Sequence, residues 1–347
     1  MPKKNKSEWD VEPHLVVPMP GPSPQTTKNS QAIPLRLGIS RCLLGDPVRY
    51  DGGHKRDRFL VDILGPHVEW VPVCPEVEAG FGTPREPMRL VDDPDDPRLI
   101  TIGSGEDRTD RMRRYTIKRL RDLRSMNLSG YVFKNDSPSC GVQRVPIYTR
   151  QGHRRGKGKG IFAARFQRLF PLIPIEDESR LHDRRLRENF IERMFGYHRW
   201  QSHVLGKRLT RGAVAAFHAA HTSLLLAHSR SHYQRLNRLV AKAQQVSPRQ
   251  LADSYGQVFM AALAVPATAR THLNALRHLA DRLNGQLNAR ARADLFEVVQ
   301  NYHRGCVPLS VPIALIRHYV LVLDIPCLRD QVYLAPHPTE LMSRTHV

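Results

Sequence analysis

Three cysteines carry the strongest chemical signal in the chain. They are Cys42 in Ser40-Arg41-Cys42-Leu43-Leu44-Gly45, Cys74 in Cys74-Pro75-Glu76, and Cys140 in Ser137-Pro138-Ser139-Cys140-Gly141. Soft thiolates select zinc, copper or iron-sulfur clusters over hard cations. The wide spacing matches neither a zinc ribbon, which pairs close Cys-x-x-Cys knuckles, nor a ferredoxin run. Three thiolates leave one iron of a cubane cluster without a protein ligand, and an open metal position is what catalysis requires. Sulfur from a substrate would suit that iron. The plainer reading of a lone free cysteine is a small buried hydrophobe. That reading is favoured for Cys306 and Cys327, which belong to no such set. An odd total of five cysteines and no secretion signal argue against a disulfide framework and for a cytoplasmic protein.

For these thiols to meet, the chain must bring distant loops together. Each cysteine lies just beyond an expected strand, at 35–39, 68–73 and 131–133, the last preceded by a helix over about 106–126. In that helix Met112, Tyr115, Leu120 and Leu123 share an apolar stripe while Arg111, Arg114, Lys118 and Arg121 face water. Loops beyond the carboxyl ends of strands in an open α/β sheet converge on one crevice, which turns scattered thiols into one site. A fourth strand is expected at 160–163, after a Gly-punctuated basic loop, 150–159, read as mobile.

From about 177 the apolar residues recur at helical spacing, with helices expected over 177–195, 211–245, 248–265, 268–283 and 291–303. The expected architecture is an α/β N-terminal domain with an open, mostly parallel sheet, followed by an all-α C-terminal domain. The expected divisions are a disordered, proline-rich tail over 1–34, the α/β domain over 35–176 and the helical domain over 177–347. Fifty-three Lys and Arg against 33 Asp and Glu give a formal charge of +20, which favours an anionic partner such as RNA, a nucleotide or anionic lipid. The most apolar stretch, 307–326, is broken by Pro312, Arg317 and His318, so no membrane span is expected.

The segments SRCLLG, RYDGGHK, VCPEVEAGFGTPREP and FKNDSPSCG, spread over about 35–170, resemble the signature segments of the thiouracil desulfidase family. The resemblance implies a 4Fe-4S cluster on Cys42, Cys74 and Cys140. Its fourth iron would capture sulfur from a thiolated uracil, and water would supply the oxygen. That chemistry needs a base, and Glu76, two residues after Cys74, is placed to serve; its plainer reading is a helix-start carboxylate. The resemblance also points to Ser137 for orienting water or the uracil. Lys134 and Arg85 offer charge for the departing sulfide or a substrate phosphate, and Asp51-Gly52-Gly53 is first a turn with a secondary claim to substrate contact. The implied substrate is a thiouracil base, a thiouridine nucleotide or thiolated tRNA.

Downstream, the segments around Phe217-His218-Ala219-Ala220-His221 and Ala227-His228 through Tyr233 resemble a YbgA-type helical domain. On one continuous helix His218, His221, His228 and His232 fall within about 80° of one face. Arg230, Arg235 and Arg238 interleave them, which favours phosphate contact over metal. The competing function class is an RNA-binding protein with a structural iron-sulfur or zinc site, and a third is a redox sensor.

Overall fold

The structure is a computed structural model that describes residues 34–206, 209–283 and 285–341. The expected N-terminal tail up to 33 lies outside these residues. Two four-stranded sheets make up the first half. The first runs β2-β1-β5-β8, from β1 (Arg36–Ser40), β2 (Glu69–Val73), β5 (Leu128–Phe133) and β8 (Ile175–Asp177), with every pairing parallel. The second runs β4-β3-β6-β7, from β3 (Met88–Val91), β4 (Arg98–Thr101), β6 (Val145–Tyr148) and β7 (Arg154–Gly158), in mixed orientation. Helices α1 (Pro75–Glu78), α2 (Thr109–Arg124) and α3 (Ile161–Leu169) complete this half.

The parallel sheet is buried on both faces, as parallel sheets require. One face packs Val73, Tyr131 and Phe133 against Leu120 and Leu123 of α2 and Phe162 and Phe166 of α3. The other packs Leu37, Ile39 and Val132 against Phe190, Ile191 and Met194 of α4 (Arg184–Trp200). Gly38 is needed because a Cβ there would sit 2.1 Å from the Tyr131 ring on the neighbouring strand.

Helix α4 continues into the second half, where its Tyr197 and Trp200 join a separate apolar core. That core is built by α5 (Arg211–His228), α6 (Arg230–Ala241), α7 (Pro248–Leu263), α8 (Ala269–Leu283), α9 (Ala289–His303) and α10 (Ser310–Val322). Among the described residues no helix is long and apolar enough to cross a membrane.

Four expectations change. The 160–163 segment opens α3 rather than forming a strand. Its apolar run places Phe162, Ala163 and Phe166 on one helical face against the sheet. The fourth parallel strand is β8. The basic 150–159 segment contributes β7, which pairs antiparallel with β6 after a turn closed by Gly152 N–H to Thr149 C=O at 2.9 Å. The helix expected over 211–245 breaks at Ser229, an extended residue whose hydroxyl caps α6 by accepting from the His232 N–H. Cys306 and Cys327 are exposed rather than buried, because the first follows the turn at Gly305 and the second sits in a one-turn helix, Pro326–Arg329.

Candidate active site

The ends of β1, β2 and β5 deliver Cys42, Cys74 and Cys140 to the wall of one cavity of about 420 Å³. Sheet order is the reason: β1 lies between β2 and β5, so the three loops that leave their carboxyl ends are neighbours. Cys140 is buried, and Cys42 and Cys74 are half-buried. Burial and the neighbouring Cys74 push the Cys42 thiol up to about 12, and burial also raises Cys74 and Cys140. Soft donors so poorly solvated become thiolates when a metal replaces the proton. Among the described residues no three His, Cys, Asp or Glu side chains form a group that could hold a single metal ion. The thiols ring a shared space instead. An all-sulfur donor set around a cavity fits a multi-iron cluster better than one small ion.

The Cys140 loop is held from two sides. Ser137 Oγ accepts the N–H groups of Ser139 (3.2 Å) and Cys140 (3.0 Å), so this serine shapes the loop while its own hydrogen remains available to the cavity. From behind, the first turn of α3 donates Ile161 N–H to the Pro138 carbonyl and Phe162 and Ala163 N–H to the Ser139 carbonyl. The positive end of the α3 dipole therefore faces the cysteine loop, a favourable neighbour for negative charge on sulfur. Gly160 makes that approach possible, since a Cβ there would lie 2.5 Å from the Ser139 carbonyl carbon. Ser40, buried at the end of β1, places its hydroxyl within hydrogen-bonding reach of Cys140 while accepting the Lys134 N–H at 2.9 Å.

Glu76 is gripped at both oxygens. Ser139 Oγ, on a fully buried serine, donates to Oε1 at 2.7 Å; Arg85 Nε donates to Oε2 at 2.9 Å, with a second bond from Nη2. The carboxylate that performs the helix-start role is Glu78, which accepts the Cys74 N–H at 2.8 Å and the Tyr115 hydroxyl at 2.6 Å. Glu76 is thereby left to the cavity. Arg85 Nη1 donates to the Val48 and Gly82 carbonyls, each at 3.0 Å. Lys134 lines the cavity but is paired with the buried Glu178 and with Asn135.

Seven expected residues therefore meet in one cavity: Cys42, Cys74, Cys140, Glu76, Ser137, Arg85 and Lys134. Asp51 does not line it. Its Oδ1 closes a turn by accepting the Gly53 N–H at 3.0 Å, the bond that lowers its pKa. Ser40, Ser139 and Glu178 went unnoticed in the sequence. The first two had one available signal, adjacency to a cysteine segment, whereas Glu178 had none.

His218, His221 and His228 share one face of α5, but His232 lies on α6, so the four form no single stripe. His218 bonds Tyr255 and Asn237, and His221 bonds the Phe217 carbonyl and accepts from Arg199. His228 Nδ1 donates to the Val265 carbonyl and its Nε2 lies 3.1 Å from Glu192 of α4. These three are buried on α5, whereas His232 is half-buried on α6 and Arg230, Arg235 and Arg238 of that helix are exposed.

Residues 37–178 match the family model described as 2-thiouracil desulfurase. The chain belongs to this family. Residues 223–338 match a second model, described as a protein of unknown function, DUF1722. Among curated relatives, the chain is 30% identical over 158 residues to the uncharacterized protein YbgA of Escherichia coli strain K12, a match spanning 44% of this chain and 91% of that protein. It is 34% identical over 134 residues to the uncharacterized protein YbbK of Bacillus subtilis strain 168, spanning 36% of this chain and 85% of that protein. A solved structure described as the 4Fe-4S-dependent thiouracil desulfidase TudS is 31% identical, covering 43% of this chain and 94% of that one, with a TM-score of 0.36. The 2-thiouracil desulfurase match encloses all three cavity cysteines, and the DUF1722 match lies wholly in the helical half.

Proposed function

We propose that the chain is a desulfidase that hydrolyses the C=S group of a thiolated uracil compound, using a 4Fe-4S cluster held by Cys42, Cys74 and Cys140. The observation that carries this reading is the meeting of three thiols and a gripped carboxylate, Glu76, in one cavity. When bound, the cluster supplies a soft Lewis-acidic iron for the substrate sulfur. The reaction exchanges one C=S bond for C=O: thiouracil and water give uracil and hydrogen sulfide, which leaves as hydrosulfide and a proton.

Glu76 is the general base. Arg85 Nε and Nη2 both bond Oε2, whereas Oε1 keeps a second acceptor site after its bond to Ser139 and can receive the proton of the attacking water. The grip keeps that oxygen directed, which is what general-base catalysis needs. Ser137 uses its remaining hydrogen to orient the water or the uracil carbonyl. Tyr50 in the lining offers a ring on which a pyrimidine can stack, with the Arg49 guanidinium 5.4 Å from its centroid. Lys55, also in the lining, suits a nucleotide phosphate better than Arg49, which lies 3.5 Å from Asp51, or Lys134, whose charge is met by Glu178. We assign catalysis to 35–176 and a supporting role in substrate capture to 177–347. The substrate is a thiouracil base, a thiouridine nucleotide or thiolated tRNA. Five free thiols suit the reducing cytoplasm.

The test is anaerobic purification, iron and sulfide analysis, and incubation with 2-thiouracil, 4-thiouridine monophosphate and thiolated tRNA. Sulfide release from at least one substrate, abolished by Glu76→Ala, supports the reading. An iron-free protein that binds zinc and releases no sulfide overturns it.

A further inference from the structure

A second cavity, of about 690 Å³, lies away from the cysteines between α2 and α3, with the end of β7 in its wall. Its cations are Arg113, Lys157, Lys159, Arg165 and Arg168, against the carboxylates Asp95 and Asp96. Asp96 is paired with Arg113, and Lys159 bonds the neutral Gln167. Among the described residues Lys157, Arg165 and Arg168 have no carboxylate partner, and all three are exposed. A concave wall with such a surplus of one sign focuses field lines and draws an anion to it.

The groove is joined to the desulfurase site by α3. Arg165 lies at the middle and Arg168 near the end of this helix, whose first turn holds the Cys140 loop. Nine residues span roughly 13 Å at 1.5 Å per residue. The same α2 that forms the opposite wall also reaches the turn after Cys74, through Tyr115 and Arg119 to Glu78. An extended polyanion along the groove would therefore pass within a few nucleotides of the cysteine cavity. A base inside an RNA must leave its stack to enter a concave site, and backbone contacts beside the site supply the anchoring.

We propose that the α2–α3 groove holds the phosphodiester backbone of an RNA whose thiolated base enters the cysteine cavity. This inference rests on the desulfidase reading for the base and on the groove's charge for the backbone. It makes the α/β half, and not only the helical half, an RNA contact.

The test is the double variant Arg165→Gln, Arg168→Gln in the full-length, cluster-loaded protein. Sulfide release is measured with thiolated tRNA and with free 2-thiouracil, and binding of unmodified tRNA is measured by fluorescence anisotropy across a salt series. The expected result is a rise of about ten-fold or more in KM for thiolated tRNA, unchanged turnover of 2-thiouracil, and a salt slope lower by about two. Unchanged tRNA affinity and salt slope in the variant overturn the groove, whatever the enzyme does with thiouracil. An equal loss with both substrates also overturns it, because the arginines would then support the fold. If the variant loses tRNA binding with the reduced slope while neither protein releases sulfide, the groove stands and the desulfidase reading falls.

Discussion

Ser139 Oγ donates to Glu76 Oε1 at 2.7 Å, joining the residue before one cavity cysteine to the residue two after another. Sixty-three positions separate the two, so the bond exists only because β5 and β2 flank β1. Hydrogen bonds to a charged group contribute about 1.5–3 kcal/mol. Ser139→Ala is expected to lower kcat by roughly ten- to a hundred-fold with little change in KM, while iron and sulfide content stay at the wild-type level. Parallel steady-state kinetics and metal analysis check this, and Ser139→Thr should recover part of the loss.

Arg85 holds the other Glu76 oxygen from a nearly buried position, with 7% of its side chain exposed against 12% for Glu76. Removing one member of such a pair strands the other charge. Arg85→Ala is expected to destabilise the protein by about 3 kcal/mol, read as a lower denaturation midpoint. Arg85→Lys retains the charge but not the two-pronged contact or the Val48 and Gly82 bonds, so stability should recover more than kcat.

The five cysteines divide by location. Serine at Cys42, Cys74 or Cys140 should reduce bound iron and sulfide in anaerobically prepared protein, whereas serine at the exposed Cys306 or Cys327 should leave both unchanged. Loss of iron on changing either exposed cysteine would contradict the assignment.

Gly160 offers a test of loop position without touching a ligand. A methyl group there would lie 2.5 Å from Ser139 backbone carbon and oxygen, so the Cys140 loop must move. Gly160→Ala should lower cluster retention and thermal stability together, by about 1–3 kcal/mol for an overpacked contact. Gly285→Ala, with nothing within 4 Å of its added methyl, is the control.

Buried His221 is held neutral: burial lowers its pKa well below the ordinary 6.5, and Arg199 adds to the effect. Burial also lowers His218. The unfolded chain takes up protons as pH drops through about 6.5, but the folded chain does not, so stability is lost on acidification, by up to about 1.4 kcal/mol per pH unit per histidine. Urea midpoints at pH 7.5 and 5.5 should show the helical half weakening at the lower pH. His221→Asn should be less stable at pH 7.5 and show a smaller pH difference.

The cysteines, their strand-end positions, Glu76 and the switch from α/β to helical pattern were all legible in the sequence. Hydrophobic periodicity and Gly-Pro punctuation are local properties, and strand ends follow from them. The second sheet was not legible, because β3, β4 and β6 are four-residue strands with too short a pattern to stand out among prolines and glycines. Nor was the break at Ser229, where one capping hydroxyl divides an otherwise continuous helical pattern and separates His232 from the other three histidines. Tertiary structure alone decided which charges are free. Lys134 meets Glu178 from 44 residues away, Arg85 is turned onto Glu76, and Arg165 and Arg168 are left beside a groove. Such pairings depend on sheet order and helix facing, which bring together side chains whose sequence neighbourhoods contain no trace of one another.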